Sequence, residues 1–220
     1  MRDTDQQIIK FDYEEKMSTE DFFVSKSNRH ILDLFDSWPR WEKNFLNICG
    51  EKFSGKTHLI NIFLKKYKGI KFEANKLNNE KLKEIKIYQN IILENLTKNI
   101  NEKLFYSLIN IIEQDNKHLI VTSDHSIVKI DFSLEDLKSR TTNFLLQSIE
   151  KPDDELIYAL ILKNLSDRQI SLDKKLINYT IKRIERSYSK IFEFIYKIDQ
   201  MSLLKKKSIN LKIIKEVLGE

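Results

Sequence analysis

The chain has 220 residues, 41% of them hydrophobic and 10% aromatic, and is therefore long enough to bury a core. Its 38 lysines and arginines are interspersed with 33 aspartates and glutamates, for a formal net charge of +5. This mixture predicts a solvated surface and gives no basis for direct, sequence-specific DNA binding. No apolar run approaches the roughly 20 residues that cross a bilayer, and residues 1–7 lack the pattern of a secretory signal. We therefore expect a cytoplasmic protein without a membrane partner.

The cysteines, histidines and glycines limit the kinds of site that this chain can form. Cys49 is the only cysteine, so no internal disulfide can form, and the four histidines have no metal-ligand spacing. Two of the four glycines, Gly50 and Gly55, stand in one short segment. Because glycine is so scarce, this segment marks a place where the backbone adopts a special conformation.

The pattern of apolar residues predicts strands that alternate with helices. Residues 1–20 show no sustained period and predict an N-terminal extension, and the helix that follows ends at Pro39. Short apolar strands are predicted over 45–49, 70–74, 88–93, 118–123 and 144–149. Helices are predicted after Gly55 and over 77–85, 101–114 and 134–141. This alternation predicts a parallel sheet covered by helices on both faces, with a ligand at the carboxyl ends of the strands.

A different pattern begins at Pro152. From there onward the periodicity is helical, and helices are predicted over 153–165, 173–185, 187–204 and 209–218. We therefore predict an α/β core over residues 21–151 and an all-helical unit over residues 152–220.

The segment from Gly50 to Thr57 fits the phosphate-binding pattern G-x-x-x-x-G-K-[ST] between a predicted strand and a predicted helix. Its glycines let backbone N–H groups turn toward phosphates, Lys56 reaches the β and γ oxygens, and Thr57 offers a hydroxyl to Mg²⁺. The N-terminus of the following helix adds its dipole. We therefore predict that the loop binds ADP or ATP. The predicted nucleotide-binding residues are Gly50, Glu51, Lys52, Phe53, Ser54, Gly55, Lys56, Thr57 and His58.

Three polar positions outside this loop are candidates for catalysis. Glu94 follows the third predicted strand, where it either holds magnesium, directly or through water, or only caps and pairs locally. The next residue, Asn95, cannot accept a proton as a carboxylate does. Asp124 follows the fourth predicted strand and can meet a γ-phosphate, with an ordinary strand-end cap as the alternative. Arg140 ends a short predicted helix, and composition alone favours a surface salt bridge for it.

Together these residues resemble the AAA+ module of the DnaA replication-initiator family, and within it the short regulatory Hda branch. The similar segments lie at 21–25 with Asn28, 38–41, 55–59, 139–140, 152–154, 167–169 and 183–186, and so cover nearly the whole chain. The resemblance implies a P-loop AAA+ fold, with a five-stranded parallel sheet and a C-terminal helical lid. It also implies that Arg140 is an arginine finger, which acts in trans on a nucleotide bound to a neighbouring module.

The resemblance implies partners as well. Hda-like proteins begin with a clamp-binding peptide of the type Gln-x-x-apolar-x-apolar, and Gln6, Ile9 and Phe11 fit it, with an unstructured tail as the alternative. The implied partners are DnaA and the sliding clamp of DNA polymerase III, and self-association stays open. The implied function is to stimulate ATP hydrolysis by DnaA while attached to the clamp.

Two departures from the family pattern argue against intrinsic hydrolysis. Glu94 and Asn95 stand in place of two aspartates, and Ser189 stands where the family usually has a sensor arginine in the lid. Lys190 is next in sequence, but on a helix it points about 100° away. We therefore expect nucleotide binding with little intrinsic turnover. The alternatives are a non-catalytic adaptor that tethers DnaA or another partner, and an autonomous ATPase of the clamp- or helicase-loader type.

Overall fold

A five-stranded parallel sheet lies at the centre of the protein. The structure is a computed structural model that describes residues 22–205 and 209–220. The strands are β1 (Phe45–Cys49), β2 (Ile70–Glu73), β3 (Asn90–Leu96), β4 (His118–Ser123) and β5 (Leu145–Ser148). They lie in the order β2-β3-β4-β1-β5, and all neighbouring pairs are parallel. The predicted parallel sheet is therefore confirmed.

Helices cover both faces of this sheet. They are α1 (Arg29–Asp36), α2 (Lys56–Lys66), α3 (Asn79–Glu84), α4 (Glu102–Gln114) and α5 (Glu135–Thr141). Successive strand residues point to opposite faces, so Ile91 of β3 belongs to one apolar cluster and Ile92 to the other. The first cluster includes Phe105 of α4, and the second includes Phe63 of α2. The alternation along each strand thus supplies two cores, one under each layer of helices.

The C-terminal part of the chain is an all-helical lid with its own core. Its helices are α6 (Asp154–Asp167), α7 (Lys174–Ile181), α8 (Tyr188–Lys205) and α9 (Leu211–Leu218). Asp153 begins α6, because its carboxylate accepts a hydrogen bond from the N–H of Leu156 at 2.8 Å. Gly219 ends α9 in the left-handed conformation, with φ of 82°. The predicted helical lid is confirmed, while the domain limits at 20 and 151 stay predictions.

The boundaries of β3 differ from the prediction. The apolar run ends at Leu93, but the strand continues to Leu96, which pairs with Ser123 of β4. The register shifts between Leu93 and Leu96, and Asn95 within this irregularity has φ of 57°. Its N–H bonds to the hydroxyl of Thr122 at 3.0 Å, which keeps the strand beside β4.

In the part of the chain that the structure describes, no helix is long and apolar enough to span a membrane.

A fully buried asparagine joins β1 to the loop after β4. Asn47 of β1 donates from its side-chain amide to the carbonyl of Val121 at 3.1 Å and to the hydroxyl of Ser123 at 2.8 Å. Its amide oxygen accepts from the N–H of Ile127 at 2.9 Å. Ser123 in turn donates to the carbonyl of His125 at 2.6 Å. One side chain therefore fixes the path of the loop that carries Asp124.

We predict that Asn47→Ala lowers the free energy of unfolding by about 2 to 3 kcal/mol, because it leaves buried donors and acceptors without partners. Urea denaturation, followed by circular dichroism, measures the change. Asn99→Ala is the matched control, since the side chain of Asn99 is exposed, and it should change the free energy by less than about 0.5 kcal/mol. Equal effects of the two substitutions would contradict this account of the loop.

Candidate nucleotide-binding site

The loop between β1 and α2 depends on its two glycines. A Cβ atom on Gly50 would lie 2.7 Å from the hydroxyl oxygen of Ser54 and 3.1 Å from the Cβ of Ile149, so no larger residue fits. Gly55 has φ of 92°, in the left-handed region that glycine adopts without strain. The N–H of Gly50 bonds to the carbonyl of Ser123 at 3.1 Å, which ties the loop to β4. The sequence therefore folds here into a tight turn that leads directly into α2.

Lys56 holds a charged group at the centre of this loop. Its side chain is only 8% exposed. The ammonium group donates to the carbonyl of Gly50 at 2.5 Å, to the carbonyl of Glu51 at 3.1 Å and to the carboxylate of Asp124 at 3.0 Å. The carboxylate of Asp124 is 66% exposed, so water screens it more than it screens the lysine. The loop thus presents a positive centre at the N-terminus of α2.

A cavity of about 580 Å³ opens above the loop. The loop residues from 52 to 58 form its floor, and helices α6 and α8 of the lid form its roof. The apolar side chains of Phe22, Leu156 and Leu160 line it together with the polar side chains of Thr57 and Asp124. The cavity therefore combines an apolar part with a polar, phosphate-sized part, which is the usual composition of a small-molecule site.

The first described residues form one wall of the cavity. The ring of Phe22 lies 5.0 Å from the ring of His58, and Phe23 also lines the cavity. Asn28 holds this segment in place, because it accepts from the N–H of Ser25 at 3.0 Å and donates to the carbonyl of Phe23 at 3.0 Å. Since Asn28 is 2% exposed, both bonds are shielded from water.

The structure brings most of the predicted loop residues together. Lys52, Phe53, Ser54, Gly55, Lys56, Thr57 and His58 line the cavity, and Asp124 lies opposite them. Glu51 does not line the cavity, because its carboxylate binds the lid helix α8 instead. Among the described residues, no group of three or more His, Cys, Asp or Glu is placed to hold a metal ion by itself. Any magnesium must therefore take most of its ligands from phosphates and water.

Glu94 and Asn95 occupy different environments. Glu94 is buried, with one carboxylate oxygen 3.4 Å from the ammonium of Lys71 and the other without a hydrogen-bond partner among the described residues. It is not one of the residues that line the cavity, and its role at a magnesium ion stays a prediction. Asn95 does line the cavity, and its amide donates to the carboxylate of Glu73 at 2.9 Å. The position next to the cavity thus holds an amide where a carboxylate would activate water.

Arg140 lies outside the cavity of its own chain. Its guanidinium forms an ion pair with Glu113 of α4 and lies 6.0 Å from the ring centre of Tyr106 on the same helix. The hydrogen bond and the charge of Glu113 raise the pKa of Arg140. The residue is partly exposed, at 34% of its side-chain surface. Arg140 therefore does not line the cavity of its own chain, and its contact with a neighbouring molecule stays a prediction.

A carboxylate at the start of α4 fixes the helix that carries Arg140. Glu102 accepts hydrogen bonds from the N–H of Ser133 and the N–H of Leu134, each at 2.8 Å. Leu134 is the residue immediately before α5. These two backbone hydrogen bonds hold the pKa of Glu102 below its usual value. Both ends of α4 therefore contact α5, through Glu102 and through Glu113.

Sequence reasoning missed the cavity residues that the lid and the N-terminal wall contribute. In the sequence, Phe22 and Phe23 stand out only through the family resemblance. Two adjacent aromatic residues before a helix can, however, indicate an apolar wall. Leu156, Leu160 and Tyr188 follow ordinary helical periodicity, which gives no sign that they face a ligand.

Comparison with known proteins adds to these observations. Residues 153–218 match the family described as "Hda, lid domain". The chain is 26% identical over 231 residues to the chromosomal replication initiator protein DnaA of Thermoanaerobacter sp. (strain X514), across 93% of this chain and 52% of that protein. It thus spans about half the length of this curated relative.

Two solved structures have a similar fold. Domain III of the Thermotoga maritima replication initiation protein DnaA gives a TM-score of 0.71 at 20% identity, with 94% of this chain and 97% of that chain covered. The AMPPCP-bound DnaA of Aquifex aeolicus gives a TM-score of 0.70 at 22% identity, with 92% and 70% covered.

The parallel sheet, the phosphate-binding loop and the helical lid define an α/β P-loop module of the AAA+ class. At their low identities, the solved structures support this fold. The lid match and the DnaA relatives support a relationship of this chain to DnaA and Hda.

The lowered pKa of Glu102 leads to a prediction about acid. Because the folded-state pKa lies below the usual value of 4.5, the ionised side chain stabilises the fold above that value, and this contribution is lost as pH falls through the lowered pKa. We expect the stability difference between the wild type and Glu102→Gln to be full at neutral pH and to shrink in acid. Urea midpoints measured between neutral pH and about pH 3 test this, and a difference that does not change with pH would contradict it.

Proposed function

We propose that this protein binds ADP or ATP in the cavity between the phosphate-binding loop and the lid. The observation that carries the proposal is the 8% exposed ammonium of Lys56, which lies in a glycine-bounded turn at the N-terminus of α2. A phosphate group there meets a positive charge, free N–H donors and the positive end of the helix dipole. The similar DnaA of Aquifex aeolicus was solved with AMPPCP, an adenine nucleotide analogue, which supports the same ligand class here.

The apolar part of the cavity suits the base. Phe22, beside His58 of the loop, and Leu156 and Leu160 of α6 provide flat or aliphatic surface. Burial of an uncharged aromatic ring against such side chains is favourable, whereas phosphates are not stable there. The cavity therefore orients a nucleotide with its base under α6 and its phosphates at Lys56.

A magnesium ion that accompanies the phosphates has a fitting set of donors. The hydroxyl of Thr57 and the carboxylate of Asp124 both line the cavity. Magnesium in nucleotide sites keeps several waters and is bound through one or two carboxylates and phosphate oxygens. Glu94 is proposed as the second carboxylate, which acts through water, since one of its oxygens has no hydrogen-bond partner among the described residues. When bound, the ion neutralises phosphate charge.

We predict that Lys56→Ala weakens ADP binding by at least about tenfold, or about 1.4 kcal/mol, because it removes the buried positive charge that meets the phosphates. Isothermal titration calorimetry measures the affinity. Lys65→Ala is the control, since it removes the same charge from α2 at a residue that does not line the cavity. Unchanged ADP affinity in Lys56→Ala would remove the basis of this proposal.

The proposed biological role is that of an Hda-like regulator of replication initiation. In this role the protein, attached to the sliding clamp, contacts ATP-bound DnaA and supplies Arg140 to its nucleotide. Three observations support it: Arg140 lies outside its own cavity, an amide and not a carboxylate lines the cavity at Asn95, and residues 153–218 match the Hda lid. The protein by itself is therefore expected to turn over ATP slowly. The proposal also includes self-association.

Attachment to the clamp is proposed through Gln6, Ile9 and Phe11, which lie outside the described residues. An extended peptide of this kind places apolar side chains in a pocket and a polar side chain at its rim.

The competing role is a non-catalytic adaptor that tethers DnaA. One observation favours it, namely that Glu113 already forms an ion pair with Arg140 in this chain. An autonomous loader-type ATPase is disfavoured by the amide of Asn95.

We predict that Arg140→Ala abolishes stimulation of DnaA while folding and ADP binding persist. The guanidinium can form two parallel hydrogen bonds to a phosphoryl group and stabilises charge that develops only in the transition state, so the loss reaches about 10³-fold by analogy with other arginine fingers. Hydrolysis of radiolabelled ATP bound to DnaA, with the clamp loaded on DNA, measures the effect. Arg140→Lys should recover little, because it restores the charge without the fork.

Two further variants separate the possible outcomes in that assay. Gln6→Ala combined with Phe11→Ala should abolish clamp binding and stimulation but leave ADP binding intact. Lys138→Ala removes an exposed cation from the same helix and should leave stimulation unchanged. If Arg140→Ala stimulates DnaA at the wild-type rate, the trans-acting mechanism is wrong and the adaptor role replaces it.

A further inference from the structure

The phosphate-binding loop contacts the lid directly through a carboxylate. Glu51 accepts hydrogen bonds from the hydroxyl of Ser187, from the N–H of Tyr188 at 3.0 Å and from the N–H of Ser189 at 3.1 Å. Tyr188 is the first residue of α8. The first N–H groups of a helix have no acceptor within the helix, and a negative charge there is stabilised by the helix dipole. Glu51 therefore caps α8 from another part of the fold.

The environment keeps this carboxylate charged. Partial burial alone would raise the pKa of Glu51, but the hydrogen bonds from Ser187, Ser189 and Tyr188 outweigh it and hold the pKa below its usual value. The interaction is therefore a charge-assisted contact between the loop and the lid at neutral pH.

An aromatic stack makes a second contact between the same two elements. Phe53 has φ of 68°, a left-handed conformation that is strained for a bulky residue. Its ring stacks on Phe192 of α8, with the ring centres 4.8 Å apart and an interplanar angle of 21°. The ammonium of Lys52 lies 5.1 Å from the centre of the Phe53 ring. The strained conformation thus directs the ring toward the lid.

The start of α8 is also fixed to the junction between core and lid. The hydroxyl of Tyr188 donates to the carbonyl of Glu150 at 3.0 Å and lies 3.4 Å from the hydroxyl oxygen of Ser27. Tyr188 is 3% exposed and lines the cavity. The turn that begins α8 is therefore held by the loop on one side and by the junction on the other.

These contacts occupy the position from which a lid side chain would otherwise sense the nucleotide. Ser189 has no cationic group, and its N–H is bonded to Glu51. None of the described residues that line the cavity is an arginine. The lid is thus joined to the protein's own loop through α8, and the cation that the lid contributes to the cavity is Lys163 of α6.

We propose that Glu51 and Phe53 are positioning residues that fasten the lid to the phosphate-binding loop, so that the site closes equally over a nucleoside diphosphate and a nucleoside triphosphate. The proposal rests on the proposed binding of adenine nucleotide in this cavity. Because the loop supplies the carboxylate and the stacked ring, closure requires no contact with a γ-phosphate. The two nucleotides should therefore bind with similar affinity, and the lid should be ordered with either.

Amide hydrogen exchange tests the contact on the intact chain. The N–H groups of Tyr188 and Ser189 have no acceptor within α8, so their protection reports the bond to Glu51. We expect both amides to be protected in the nucleotide-free protein, and Glu51→Ala to speed their exchange by about tenfold or more. Phe192→Ala, which removes the stack and keeps the carboxylate, should give a smaller increase. The amides within the lid core, around Ile161 and Ile214, should exchange as in the wild type, which shows that the lid remains folded.

Calorimetry with ADP and with AMPPCP tests the consequence for binding. We expect the two wild-type affinities to agree within about threefold, and Glu51→Ala to weaken both by the same factor of about tenfold. Glu185→Gln is the matched control, because it removes an exposed carboxylate close to α8 that does not line the cavity, and it should behave as the wild type.

The outcomes separate the two proposals. If Glu51→Ala and the wild type exchange Tyr188 and Ser189 at the same rate, or if the wild type prefers the triphosphate analogue by more than about tenfold, the fastening role is wrong. If wild-type protein binds neither nucleotide, the proposed function fails, and closure over both nucleotides fails with it. The exchange comparison then still decides whether Glu51 holds the lid.

Discussion

The buried ammonium of Lys56 is the group on which the rest of the site depends. A cation with little access to water is stable only if nearby groups compensate its charge. Here two loop carbonyls and the exposed carboxylate of Asp124 provide that compensation. The loop can fold this closely around the lysine because Gly50 has no Cβ, and because β4 lies beside β1 and brings Asp124 to the same edge. The position of Asp124 beside Lys56 therefore follows from the order of two adjacent strands.

The cavity exists only because two separately packed units meet above this loop. The sheet has a core on each face, and the lid has a third core of its own, built from residues such as Ile161, Ile191 and Ile214. A unit with its own core can shift without unfolding, so its position must be set by contacts at the boundary. These contacts include the hydrogen bonds of Glu51 at the start of α8, the stack of Phe53 on Phe192, and the packing of Leu156 and Tyr188 against the core. Small changes at this boundary therefore alter the nucleotide cavity without altering either core.

The sequence predicted the elements well and the contacts between them poorly. The central strands were predictable because each is a short apolar run that is buried on both faces of a parallel sheet. The end of β3 was not, since polar residues follow Leu93 and the strand continues through a hydrogen bond from Asn95 to Thr122, on another strand. The loop motif likewise defines the glycines, Lys56 and the threonine after it, but it gives no sign that Glu51 contacts the lid. That contact depends on Ser187, 136 residues further along the chain, and no local pattern contains it.

Local sequence patterns likewise do not show what surrounds Arg140. In the structure, these surroundings explain how a surface arginine is kept in a defined place. Exposed ion pairs contribute little to stability, so the pair with Glu113 by itself does not fix the side chain. The helix that carries it is fixed instead, because the backbone at its start donates to Glu102. Backbone contacts therefore fix the helix, while the partly exposed ion pair with Glu113 holds the guanidinium only weakly. The role in trans proposed for Arg140 would need both features: a defined position and a guanidinium that can change its partner.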